Sequence, residues 1–315
     1  MKILKIQFAD FWFGFEPANN YFFNLLSSVY QLELSDDPML LIYCCYGLKH
    51  LKYDCIKIFY TSENFRPDYS GCDFAIGFDY SNDPRHYRLP LYAFYLDYEK
   101  RMEKMVSTKS REEALQIWRS KSKFCCMVVS NEASKRRLQF FDKLSKYKTV
   151  DSGGKVMNNI GGPVKNKMAF IRDYRFVFAF ENNSYPGYTT EKIVEPFLTD
   201  SIPVYWGDPL ISSEFNELSF LNLDKSKTDE ELIEDIVAID NSEELAVSML
   251  SGSKFKNAKI PPAIDREKIL RFFNRIIQMS ENKKPVSKTW KRYIHFYRLK
   301  KIYYRNRLKG ILKTT

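Results

Sequence analysis

Three apolar runs constrain this chain more than any other feature. Phe124-Cys125-Cys126-Met127-Val128-Val129, Phe176-Val177-Phe178-Ala179-Phe180 and Ile202-Pro203-Val204-Tyr205-Trp206 carry no charged side chain at any position. A strand with one wet face alternates apolar and polar residues. A continuous apolar run instead fits a strand covered on both faces, as in a parallel sheet between helices. In the first third, Ile56-Lys57-Ile58-Phe59-Tyr60 and Asp73-Phe74-Ala75-Ile76-Gly77-Phe78 read as two more strands, each running into polar or turn residues. The opening Met1-Lys2-Ile3-Leu4-Lys5-Ile6-Gln7-Phe8 reads as the start of another.

Amphipathic stretches separate these runs. Residues 92–119 are charged, helically spaced and free of Gly and Pro, and a helix after Ser130-Asn131 reaches about Lys146. Another runs from about Thr190 to Leu198, and residues 229–240 and 269–279 complete the set. Strands alternating with helices define an α/β protein whose crossovers are right-handed. The expected architecture is two Rossmann-like, doubly wound domains facing a cleft. They comprise residues 1–120, with a helical connector, and 121–282, followed by a basic aromatic tail at 283–315.

Composition excludes several alternatives. Hydrophobic residues make up 44% and aromatics 16%, enough for buried cores rather than wholesale disorder. Lys+Arg number 49 against 39 Asp+Glu, a net charge of +10 that would suit a nucleic-acid binder, yet ten of those cations and no acidic residue fall within residues 286–315. The rest of the chain is formally neutral, so nucleic acid is not an expected partner. The longest apolar candidate, residues 39–48, is too short and too polar for a spanning helix, which needs about 18 residues. Six cysteines, two pairs of them adjacent, are expected as reduced, mostly buried small hydrophobes in a cytosolic protein. His50, His86 and His295 lie far apart in sequence, and no Cys-x-x-Cys or Asp-x-Asp occurs, so no metal is expected.

In open parallel sheets, ligands bind beyond the carboxyl ends of the strands. Four groups meet that rule and would share one rim: Thr61-Ser62-Glu63, Ser130-Asn131 with Arg137, Asn182, and Glu191-Lys192. The loop from Glu181 to Lys192 is rich in Asn, Ser, Tyr and Gly, suited to sugar hydroxyls. A helix N-terminus bearing Lys192 offers positive potential to phosphate. Glu191 beside it can accept from both vicinal hydroxyls of a ribose. The ligand implied is a sugar nucleotide. Each assignment has a plain structural alternative: Glu191 and Lys192 solvating a helical turn, Arg136-Arg137 a solvated face rather than a pyrophosphate clamp, Glu63 a turn former rather than a base.

Phe178-Ala179-Phe180-Glu181-Asn182, Tyr188-Thr189-Thr190-Glu191-Lys192-Ile193 and Ile202-Pro203-Val204-Tyr205-Trp206-Gly207 together resemble the donor-binding signature of the α1,3/α1,4-fucosyltransferases, glycosyltransferase family 10. Tyr60-Thr61-Ser62-Glu63-Asn64 and Phe74-Ala75-Ile76-Gly77-Phe78-Asp79 resemble its bacterial branch. The resemblance covers about residues 56–209. It implies a GT-B fold and metal-independent, inverting transfer of L-fucose from GDP-fucose to the GlcNAc of a lactosamine-type acceptor, in α1,3 or α1,4 linkage, with no cofactor. By position it makes Glu63 the general base, Arg137 the pyrophosphate ligand, Glu191 the ribose carboxylate and Lys192 the cation near the diphosphate, with Asn182 and Tyr188 contacting the donor. Tyr185-Pro186 and Thr189 depart from the pattern, the last standing where an aliphatic residue is more usual. The rivals are an inverting GT-B enzyme with a different nucleotide sugar, and a non-enzymatic nucleic-acid-binding α/β protein.

The tail has its own pattern. Trp290, Tyr293, Ile294, Tyr297, Tyr304, Leu308, Ile311 and Leu312 fall on one helical face, with most Lys and Arg elsewhere. That is the design of an interfacial helix drawn to anionic lipid. It predicts a peripheral protein on the inner face of the cytoplasmic membrane, where lipid-linked glycan acceptors or O-antigen glycans would be fucosylated. A basic helix packed on its own protein, or a disordered tail, is the alternative.

Overall fold

The computed structural model describes residues 3–96, 99–131, 134–224 and 226–311. The chain forms two compact units, one of residues 1–77, 81–89 and 265–315, the other of 78–80 and 90–264. Each is built on a wholly parallel sheet.

In the first unit, β1 (Ile3–Ala9), β2 (Gln31–Leu34), β3 (Leu40–Tyr43), β4 (Ile56–Tyr60), β5 (Phe74–Gly77) and β6 (His86–Arg88) lie in the order β2-β1-β3-β4-β5-β6. β3 and β4 are buried at every residue, Lys57 included, as expected of central strands covered on both faces. β2 is the exposed edge.

The second unit holds β7 (Lys123–Met127), β8 (Val150–Ser152), β9 (Tyr174–Phe180), β10 (Ile202–Trp206) and β11 (Leu221–Asn222), ordered β11-β10-β9-β7-β8. The three apolar runs are thus its adjacent central strands, with Cys125 beside Phe176 and Phe178 beside Val204. Their alternation divides two cores. Phe176, Phe178 and Phe180 pack with Phe140, Val204 and Trp118, while Val177 and Cys126 face Ile171. Truncating one such phenylalanine to alanine costs about 3–5 kcal/mol.

The expected segment boundaries shift. Residues 92–119 are not one connector: helices Glu99–Val106 and Arg111–Ser120 belong to the second unit, with Ala114 and Trp118 buried in its core. The helix Arg266–Ser280 joins the first unit, where Phe273 meets Phe22, Phe272 meets Phe74, and Asn274 accepts from the Tyr30 hydroxyl at 2.7 Å.

The tail contains a helix, Lys291–Ile311, also of the first unit. On the expected apolar face Trp290, Tyr293 and Tyr297 are exposed, but Ile294 is half-buried and the neighbouring His295 is buried. The side chains of Tyr304, Leu308 and Ile311, and all of Leu312, lie outside the described residues. Among the described residues no helix is long and apolar enough to cross a membrane. All six cysteines are free and all but the half-buried Cys45 are buried.

Candidate active site

Five of the six candidate residues, Arg137, Asn182, Tyr188, Glu191 and Lys192, stand in the second unit at the carboxyl ends of its strands. β9 ends at Phe180, and the next residue, Glu181, is completely buried. Its carboxylate accepts from the Thr190 amide at 2.7 Å, the Thr190 hydroxyl at 2.7 Å and Lys192 Nζ at 3.1 Å. These bonds fold the 181–190 loop back on the strand end and place Thr190 at the N-cap of the helix Glu191–Leu198. Asp208, just past β10, fixes the loop's middle. It accepts from Gly187 N at 2.8 Å, Thr189 Oγ1 at 3.0 Å and Leu210 N at 2.8 Å. Gly187 has φ 84°, and a Cβ there would strike the Phe78 carbonyl, so only glycine fits. The Thr189 departure has a local reason, since an aliphatic side chain could not donate to Asp208.

Lys192 lies between two carboxylates, 3.1 Å from Glu181 and 3.3 Å from Glu191. Burial alone would push its ammonium down, but Glu181 and Glu191 win and raise it. Burial likewise opposes ionisation of Glu191, yet Lys192 and Lys167 hold it below the usual glutamate range. Complete burial of Glu181 outweighs its donors and pushes it up. Lys192 Nζ, which also donates to Thr190 Oγ1 at 2.8 Å, is thus fixed at a helix N-terminus, the end of a helix that favours an anion.

Arg137 is not a solvated face. It is 1% exposed, donating from Nη2 to the Phe180 carbonyl at 2.7 Å and to Asn182 Oδ1 at 3.1 Å, while its buried Nε has no hydrogen-bond partner among the described residues. Burial draws its charged form down. Its neighbour Arg136 instead pairs with Asp229 on the helix Asp229–Asp240. The Tyr188 ring is buried, packed edge-on against Phe78 with centroids 5.0 Å apart.

Glu63 stands in the first unit, just past the carboxyl end of β4. Thr61 Oγ1 bridges its amide at 3.0 Å and its carbonyl at 3.2 Å, and its Oε1 accepts from the Tyr46 hydroxyl at 2.9 Å. It is half-buried, so the carboxylate can meet a ligand.

Several residues here escape a sequence reading. Glu181 looks like a strand terminus and Asp208 like part of a turn, yet both organise the donor-type loop. Of the histidines that lie far apart in sequence, His50 and His295 meet with their Nε2 atoms 3.1 Å apart. Among the described residues no group of three or more His, Cys, Asp and Glu is arranged to hold a metal.

Comparison with known proteins agrees with this geometry. Two solved α1,3-fucosyltransferase structures share the fold over 88% of this chain and 91% of theirs, one with GDP at TM-score 0.74 and 28% identity, one with GDP-fucose at 0.70 and 27%. The architecture is GT-B. Residues 6–95 match the alpha-(1,3)-fucosyltransferase FucT N-terminal domain, and residues 118–292 match the glycosyltransferase family 10 (fucosyltransferase) C-terminal model. The chain belongs to glycosyltransferase family 10. It is 30% identical to alpha-(1,3)-fucosyltransferase FucT of Helicobacter pylori, over 87% of this chain and 66% of that protein. It is 28% identical to human 4-galactosyl-N-acetylglucosaminide 3-alpha-L-fucosyltransferase 9, over 45% of this chain and 40% of that protein. The chain thus spans about two thirds of the bacterial relative's length and under half of the human one's.

Proposed function

We propose that this chain transfers L-fucose from GDP-fucose, with inversion and without a metal, to a GlcNAc hydroxyl of a lactosamine-type acceptor. The observation that carries the reading is Lys192, held between Glu181 and Glu191 at a helix N-terminus, with the buried Arg137 in the same unit. Preorganised cations of this kind stabilise a departing diphosphate without reorganising as charge develops. Glu191, kept ionised, suits the ribose hydroxyls, and Asn182, whose Oδ1 is taken by Arg137, keeps its amide hydrogens for the donor.

In the step itself Glu63 takes the hydroxyl proton. The acceptor oxygen bonds to the anomeric carbon from the face opposite GDP, and the carbon–oxygen bond to the diphosphate breaks, releasing GDP. Incubation with GDP-fucose and both lactosamine isomers, followed by linkage analysis, tests the reading and separates α1,3 from α1,4 transfer. Product from another nucleotide sugar but none from GDP-fucose would overturn it.

The reading extends to place. The exposed Trp290, Tyr293 and Tyr297, with Lys291, Arg292 and Lys300 around them, suit the headgroup level of an anionic membrane on the cytoplasmic side, where lipid-linked acceptors are presented. Replacing the three aromatics with serine should abolish partitioning to anionic vesicles, and unchanged partitioning would sink this part.

A further inference from the structure

A general base needs one carboxylate oxygen aimed at the acceptor and the other held. In this chain the holding group is a phenol, and the phenol's own loop is locked from three distant parts of the first unit. Tyr46 lies in the segment after β3. Its hydroxyl donates to Glu63 Oε1 at 2.9 Å, and burial, then Glu63, pushes the phenol up, so it remains a donor. The other groups around that carboxylate are Thr61, which fixes its backbone, and the thiols of Cys44 and Cys45.

The segment's fixing point is Asp10. Its carbonyl accepts from Tyr46 N at 3.0 Å, and its carboxylate accepts from Lys49 N at 2.7 Å, His50 N at 2.9 Å and His50 Nδ1 at 2.6 Å. Asp10 sits at φ 59°, in the left-handed region, where such a residue persists only if its surroundings dictate it. A Cβ at Gly47 would strike the Asp10 carboxylate, so the loop closes only with glycine there.

His50, stacked on Tyr43 with ring centroids 4.2 Å apart, then meets His295 of the C-terminal helix, Nε2 to Nε2, at 3.1 Å. His295 Nδ1 lies 3.0 Å from Asp68, which also pairs with Arg298. Each Nδ1 faces a carboxylate and so carries a hydrogen, which leaves one hydrogen shared between the two Nε2 atoms. Burial pushes the His50 imidazole below its usual range.

We propose, resting on the fucosyltransferase reading, that Tyr46 is the positioning residue of Glu63 and that the Asp10–His50–His295 chain locks the loop carrying it. The C-terminal helix then sets the geometry of the proton-transfer step. Tyr46→Phe should lower kcat about 10-fold to 100-fold, the scale of a misaimed catalytic group, and leave the KM for GDP-fucose unchanged. His295→Ala should lower kcat in the same way and by less, again with the KM for GDP-fucose unchanged. The double variant should do no worse than Tyr46→Phe, since both act through one carboxylate.

Phe296→Ser, on the same helix but exposed, controls for general damage to the helix, and circular dichroism controls for folding. A Tyr46→Phe enzyme with unchanged kcat, or fully additive losses in the double variant, would overturn the proposal. The 13C resonance of Tyr46 Cζ, assigned with Tyr46→Phe, reads the phenol's hydrogen bond without turnover, and Glu63→Gln should move it. An unmoved resonance there overturns the proposal even if fucose is transferred. A moved resonance in a chain that transfers no fucose upholds the contact and rejects only the reaction.

Discussion

In the second unit, Glu181, Arg137 and Asp208 are buried; Glu181 and Asp208 are each tied by two or more hydrogen bonds or ion pairs to the loop they shape, and Arg137 bonds once to the end of β9 and once to Asn182. In the first unit, Glu63 is half-buried and its carboxylate rests on a phenol. Charge that must stabilise a leaving diphosphate works best dry and fixed before substrate arrives. A base that must meet and release an incoming hydroxyl has to keep one oxygen accessible. The price of the second arrangement is that position depends on other segments, here residues 10, 46, 50 and 295.

The contrast predicts different failures on the two sides. Glu63→Gln should cut kcat by about two to four orders of magnitude while GDP-fucose affinity and the melting temperature hold, by steady-state kinetics and calorimetry. Comparable turnover would move proton transfer off this residue and dissolve the contrast. Lys192→Ala should damage everything at once. It strands the buried Glu181, so stability should drop about 3–5 kcal/mol, and donor affinity should fall with it. Loss of affinity at unchanged stability would mean the cluster is not the preformed unit described. Glu191→Ala sharpens the point, because Lys192 keeps Glu181 and the Thr190 hydroxyl as partners without it: a hydrogen-bonded charged group is worth about 1.5–3 kcal/mol, so donor binding should weaken roughly 10-fold to 100-fold with little change in melting.

How legible each half is follows from the same difference. The three central strands of the second unit were readable because a strand buried on both faces leaves no polar position. The loop from Asn182 to Lys192 is legible as a run of ligand-type side chains, whereas the parts that Glu181 and Asp208 play in folding it are not. Burial of Arg137 was not, since the Phe180 carbonyl that receives its guanidinium is 43 residues away. The break within residues 92–119 did leave a sign. Ser110 accepts from Glu113 N at 3.1 Å and starts the helix Arg111–Ser120, the Ser-x-x-Glu pattern of an N-terminus. The His50–His295 contact spans 245 positions and left none, nor did the return of the helix Arg266–Ser280 to the first unit.

A milder change tests the loop rather than its charges. Asp208→Asn keeps one oxygen for the Gly187 and Leu210 amides but turns two hydrogens toward the Thr189 hydroxyl, which donates to the carboxylate. Leaving buried donors unsatisfied costs about 1–3 kcal/mol. The expected outcome is a lower melting temperature and a raised KM for GDP-fucose, with kcat on saturating donor nearly preserved. A reduced kcat at unchanged KM would assign Asp208 to the chemical step instead.

The smallest effect asks whether the second unit's tolerance of buried charge reaches beyond the site. Lys254 is 2% exposed, donates to the carbonyls of Leu250 at 2.9 Å and Met249 at 3.3 Å, and is pushed down to about 7, first by burial and then by Lys109. An unfolded lysine titrates near 10.4. Between about pH 7 and that value the unfolded chain therefore binds more protons than the folded one, and stability rises with pH. Lys121, lowered to about 8 by burial, adds a slope of the same sign. Chemical denaturation at pH 7 and pH 9 should show the wild type gaining on Lys254→Met by about 1–3 kcal/mol as the pH rises, since methionine fills the same space without a proton to lose. Parallel pH dependences in the two proteins would show that Lys254 is charged and solvated at neutral pH, and that the dry placement of charge ends at the loop held by Glu181 and Asp208.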